Sequence, residues 1–156
     1  MDTLNHKNLQ RIYTHACSTY PEECCGFIFA DGTVHHGVNI QSELNRRQPD
    51  IHARTAANGY TFSVADTLAM NRSFRSGNPV TIIYHSHPDV GAYFSREDEN
   101  KALFMGKPAY PVAYLVVDVR NAQAKAAKLF QWNGKGFACI HEFHVNEENL
   151  TTHPRS

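Results

Sequence analysis

His85 and His87 stand two residues apart in "IIYHSHPDVGAYFSREDE", residues 82–99, and Ser95 and Asp98 follow in the same stretch. Side chains two apart at the end of a β-strand project from one face, so the two imidazoles can act together. Ser95 and Asp98 are three apart, which puts both on one side of the first turn of a helix. A turn through Pro88 and Gly91 can fold that helix start back over the strand end. Two imidazoles and one carboxylate then converge, a ligand set suited to a divalent transition metal near neutral pH. Three protein ligands leave a fourth tetrahedral position for water, the pattern of a catalytic rather than a structural zinc. Blander readings compete. H-x-H also occurs in solvated loops, and Ser95-x-x-Asp98 is also a capping box. The capping and catalytic readings are compatible, because a capping serine can still present its hydroxyl to a site.

A hydrolytic metal needs a base for the attacking water and an acid for the leaving amine. The segment "PEECCGF", residues 21–27, offers Glu22 and Glu23 at the start of an apolar run. Either can serve, and a glutamate at a strand's edge is otherwise simply a solvated residue.

With "ECCG" at 23–26, "HSHP" at 85–88 and "SRED" at 95–98, and with residues 88–94 as the spacer, the chain resembles the JAMM, or MPN+, metalloproteases. The resemblance extends over about residues 5–130. It implies that His85, His87 and Asp98 bind one Zn2+ per chain. It implies that Glu23, rather than Glu22, is general base and acid, and that Ser95 donates to the developing oxyanion. Ser86 is expected to point away from the metal and play a supporting part. The implied fold is the cytidine-deaminase-like MPN/JAB fold. The implied activity is that of a zinc isopeptidase or peptidase, deubiquitinase-like, cleaving after the C-terminal Gly-Gly of a ubiquitin-like or sulfur-carrier protein. An extension, an adduct or a conjugated target would be removed. Some bacterial relatives work in conjugation or antiphage systems. The segment after Asp98 is too short for the insertion that carries a second zinc and linkage-selective contacts in some eukaryotic relatives, and Phe94 replaces the proline many of them have. Tyr93 and Phe94 sit in the motif loop, either as substrate contacts or as core. The rival readings are a metal-free MPN scaffold and a cysteine enzyme built on Cys25.

These residues need elements to hold them. Leu4, Leu9, Ile12, Tyr13 and Ala16 form one helical stripe over residues 4–18, ending before Pro21. "CCGFIFA" reads as a buried strand, turning at "DG" into a second strand, "TVHHGVNI". Residues 40–59 read mostly as a long loop. Ser63 caps a helix over 64–75, and "VTIIYHSH" is a strand running into the histidines. Ser95 caps a helix over 96–105 stopped by Gly106, and three strands follow in "YLVVDV", "AAKLFQW" and "FACIHEFHV". His35, His36, His141 and His144 are expected not to be ligands. The expected class is α+β, an α-β-α sandwich with a mixed or antiparallel sheet. A single domain over 1–146 and a polar tail over 147–156 are expected.

Composition bounds the function. A chain of 156 residues suffices for one domain and one sizeable core. Fifteen Lys+Arg balance fifteen Asp+Glu, so no basic excess points to nucleic acid or a membrane surface. Cys17, Cys24, Cys25 and Cys139 contain no C-x-x-C pair and fit reduced thiols in a cytoplasmic protein. "MDTLNHKNLQ" has no apolar run for a signal peptide. The oligomeric state is left open.

Overall fold

The computed structural model describes residues 4–145. The tail expected over 147–156 lies outside them. Helix α1, His6–Thr19, starts at a capping box: Asn5 accepts from the Asn8 N–H, and the Asn5 N–H donates to the Asn8 side chain. Its Ile12 and Ala16 are fully buried. Strands β1 (Cys25–Phe29) and β2 (Val34–His36) form the expected hairpin. Helices α2 (Gln41–Arg47) and α3 (Val64–Ser73) precede β3 (Val80–Pro88). Helix α4 (Arg96–Ala102), a short hairpin of β4 (Leu103–Phe104) and β5 (Lys107–Pro108), and strands β6 (Ala113–Arg120), β7 (Gln123–Trp132) and β8 (Phe137–His144) complete the chain. No described helix is long and apolar enough to cross a membrane.

Six strands form one mixed sheet in the order β2-β1-β3-β6-β7-β8, with β3 and β6 parallel and the other pairs antiparallel. Both faces are covered, as an α-β-α sandwich requires. On one face Ile82, Tyr84, Leu115 and Val117 pack with Ile12 and Ala16 of α1. On the other, Phe27, Ile83 and Tyr114 pack with Met70 of α3 and Ala102 of α4. Alternation along β3 therefore sends His85 and His87 to the α4 side, with Ile83.

Several stretches differ from the expectation. The second strand, read over 33–40, covers only Val34–His36. Residues 41–47 are helical, although 40–59 read as loop. Only Gln41 of α2 is buried, so the helix shows no apolar period to detect. It is held by polar links instead, Gln41 Nε2 to the Arg54 carbonyl and the Thr61 hydroxyl to Gln41 Oε1. Helix α4 stops at Ala102 rather than Met105. Gly106 is the second left-handed residue of a hairpin turn, following Met105 at φ 56°, and not a helix stop.

Candidate metal centre

Three connections bring the site together. Cys25 pairs with His85 across β1 and β3. Just before that pair, the Ser86 hydroxyl accepts from the Cys24 N–H at 2.8 Å, and the Ser86 N–H donates to the Cys24 carbonyl. Ser86 thus faces away from its histidine neighbours and clamps the residue next to Glu23. The Glu23 N–H donates to the Ala56 carbonyl, and Asn39 Nδ2 donates to the Glu23 carbonyl. After β3 the chain turns at Asp89, in the left-handed region at φ 62°. Aspartate tolerates that region better than most residues. Its carboxylate accepts from the Tyr20 hydroxyl and the Asn121 N–H, which fixes the turn. The loop then reaches Ser95, whose hydroxyl accepts from the Asp98 N–H at 3.0 Å, while the Ser95 N–H donates to Asp98 Oδ2 at 2.9 Å. The capping box is real, and it aims the Asp98 carboxylate back at β3.

His85 Nε2 lies 3.2 Å from His87 Nε2 and 3.1 Å from Asp98 Oδ1, and His87 Nε2 lies 3.2 Å from Asp98 Oδ2. The two approaches to Asp98 run to different carboxylate oxygens, and one ligand atom from each of the three residues lies within 4.8 Å of the others, close enough to share one ion. His87 Nδ1 lies 3.0 Å from the Gly91 carbonyl, which only accepts. Nδ1 therefore carries the proton of the neutral ring, and the Nε2 lone pair faces the carboxylate. Lone pairs and a carboxylate crowded together repel unless a cation or a shared proton lies among them. Burial raises the affinity of Asp98 for a proton, but His85 and His87 outweigh it and hold the carboxyl well below the usual range. Burial also lowers the His87 pKa, yet the Asp98 hydrogen bond and charge leave it raised overall. His85, His87 and Asp98, all buried, could hold a metal ion, and they form the one such group among the described residues.

Beside this group Glu23 is 6% exposed, and its Oε1 has no hydrogen-bond partner among the described residues. Burial raises its pKa, partly offset by the two histidines. Glu22, by contrast, is exposed. A cavity of about 170 Å3 opens here, lined by Glu23, Tyr60, His87, Tyr93, Ser95 and Asp98 among others. Tyr93 is 48% exposed, with its ring edge-on to His87 at 4.9 Å. Phe94 packs into the core instead, against Tyr114, Phe130 and Phe137. His35 pairs with Asp66 at 2.7 Å, and neither it nor His36, His141 or His144 joins the metal group. Cys25 is fully buried, and burial raises its thiol pKa far above neutrality, which is the opposite of an activated nucleophile. The cysteines are free thiols.

Sequence reasoning missed Tyr60, Lys101 and Val90, which also line the cavity. Tyr60 lies just past the stretch read as loop, before the helix capped by Ser63, and carries no motif. Lys101 had a usable signal, since it follows Asp98 by three residues on one helix.

No curated protein gives a significant match. Several solved structures are similar, two of which illustrate the likeness. Protein DSY2949 from Desulfitobacterium hafniense is 20% identical, with a TM-score of 0.59 over 85% of both chains, a likeness that speaks to the fold alone. A protein from Salinibacter ruber is 26% identical, with a TM-score of 0.53 over 90% of this chain and 89% of its own. The family model for prokaryotic homologs of the JAB domain matches residues 6–133. Some members of that family are metallopeptidases. The matched span contains Glu23, both histidines, Ser95 and Asp98, and most of the sandwich that positions them. On that ground the chain belongs to the prokaryotic homologs of the JAB domain.

Proposed function

We propose that the protein is a zinc-dependent peptidase or isopeptidase that cleaves after the Gly-Gly end of a ubiquitin-like or sulfur-carrier protein. The observation that carries this reading is the buried, unpartnered carboxylate oxygen of Glu23 in a cleft it shares with His87 and Asp98, with His85 buried directly behind them. A scaffold has no use for an orphaned carboxylate, whereas a hydrolase needs a proton acceptor that no neighbour occupies. His85, His87 and Asp98 would hold the zinc, which when bound supplies a Lewis acid to the scissile carbonyl and to water. Glu23 takes the proton of the attacking water and delivers it to the leaving amine. Its raised pKa suits both halves of that task. Ser95 uses an oxygen lone pair for its cap, so its O–H proton remains free to donate to the developing oxyanion.

A narrow cleft favours a tail without side chains. About 170 Å3 falls well below the roughly 300–1,000 Å3 of small-molecule pockets. Glycines offer only main-chain groups to grip, so affinity must come from the substrate's folded body. Val90, 58% exposed, and Tyr93 line the cleft and present apolar surface for that contact.

Purified protein reconstituted with zinc is expected to carry about one ion per chain, and Asp98→Asn much less, by elemental analysis. Well-folded wild-type protein that stays metal-free would contradict the metal reading. A ubiquitin-like protein extended beyond Gly-Gly is expected to be cut, and a short unstructured peptide hardly at all. Equal rates on peptides lacking Gly-Gly would refute the substrate assignment alone. Tyr93→Ala is expected to raise KM more than it lowers kcat, the mark of lost uniform binding. Ser95→Ala should lower kcat by roughly 10²–10³-fold. It should also cost about 1 kcal/mol of stability through the lost cap. Lowered stability with unchanged kcat would leave Ser95 a cap only.

A further inference from the structure

A metal-binding histidine is ordinarily oriented by a hydrogen bond from the ring nitrogen that faces away from the metal. His87 has that anchor in the Gly91 carbonyl. His85 does not: its Nδ1 is buried with no hydrogen-bond partner among the described residues. What touches the His85 ring is Tyr60, stacked on it with centroids 4.6 Å apart and planes 27° from parallel. Tyr60 is 4% exposed, so its ring has little room to move. It is held from α4. Lys101 Nζ donates to the Tyr60 carbonyl and sits 4.5 Å from the centroid of its ring. Lys101 lies one helical turn beyond Asp98, so the helix that carries one ligand also restrains the residue packed against another.

We propose that Tyr60 is a positioning residue of the metal centre. Its ring fixes the plane of His85, and with it the direction of the Nε2 lone pair, in place of the missing hydrogen bond. Lys101 holds Tyr60 where this stacking is possible. The proposal rests on the metal reading above and not on the choice of substrate.

Zinc affinity, measured on purified protein by competition with a chromogenic chelator, tests it without any activity assay. Tyr60→Leu is expected to weaken zinc binding by about 10–100-fold, while Tyr60→Phe, which keeps the ring, stays close to wild type. The visible spectrum of the Co2+-substituted protein should shift in the leucine variant and not in the phenylalanine variant. Thermal unfolding of the metal-free proteins separates positioning from packing. A leucine variant that unfolds earlier yet binds zinc as wild type does overturns the proposal. So does an equal loss in both variants, which would assign the effect to the hydroxyl. Should Tyr60→Leu not fold, Lys101→Met decides: weakened zinc binding supports the tether, and unchanged binding overturns it. Wild-type protein that binds no zinc rejects the metal reading itself, and this proposal with it.

Discussion

Glu23→Gln is expected to keep its metal and to lose turnover by at least roughly 10²–10⁴-fold. The amide matches the carboxylate in shape, so the buried seat beside the histidines is preserved. What disappears is the proton acceptor. The loss should exceed that of a residue assisting one step, because the same oxygen serves water and leaving amine in turn. Glu23's main chain is tied to Ala56 and Asn39 whichever side chain is present, so the fold has no reason to change. Zinc content and melting temperature should therefore stay near wild type while kcat on a Gly-Gly fusion collapses. Glu22→Gln is the control, since Glu22 is exposed and should be neutral. Full activity in Glu23→Gln, with loss in Glu22→Gln, would move the role to the neighbour.

Gly26→Ala should be the most damaging of the glycine-to-alanine changes. A Cβ at position 26 would lie 2.3 Å from the His35 carbonyl oxygen and 2.3 Å from the Tyr84 hydroxyl. The first is backbone of the paired strand β2, which cannot retreat without opening the ladder. The second belongs to a fully buried ring whose hydroxyl bonds His15 Nδ1 at 2.7 Å. Burial and the neighbouring His36 lower the His15 pKa to about 4, so its ring is neutral at physiological pH and can accept that bond. Overpacking usually costs about 1–3 kcal/mol, and a clash with backbone belongs at or above the top of that range. For a domain of this size about 3 kcal/mol corresponds to a melting temperature lower by roughly 6–12 °C. Circular dichroism melting gives the answer, and a variant within about 2 °C of wild type would show that β2 yields.

The metal group was legible because its spacing is set by local geometry. Strand alternation puts His85 and His87 on one face, and a helix's first turn puts Ser95 beside Asp98. The link between these pairs was legible only as a turn, since the Asp89 anchors come from Tyr20 and Asn121, far away in sequence. Between Glu22 and Glu23 the resemblance chose, and burial supports that choice. Helix α2 was invisible because its anchors are polar, and the end of α4 was misplaced because a glycine marks a hairpin turn as readily as a helix stop. Tyr93 and Phe94 are adjacent, yet one lines the cleft and the other fills the core, a split that the pair's composition cannot reveal. Tyr60 reaches His85 across 25 positions of chain, and no periodicity encodes such a contact.

The capping box that joins Ser95 to Asp98 has an evolutionary corollary. Both residues have two employments, one in starting a helix and one in the proposed chemistry. A descendant that abandoned catalysis would still be under selection to keep them, because the helix start would weaken without them. His85 packs against Tyr60 but has no hydrogen-bonding duty of this kind, since its outward nitrogen bonds nothing among the described residues. His87 has a modest one in its bond to the Gly91 carbonyl. Decay of the site in a lineage should then run in a set order, with position 85 drifting first, position 87 next, and the serine and aspartate persisting as relics. A relative that retains S-x-x-D but has lost the first histidine would be a fossil of a metal centre, and its remaining motif would report on helix stability alone.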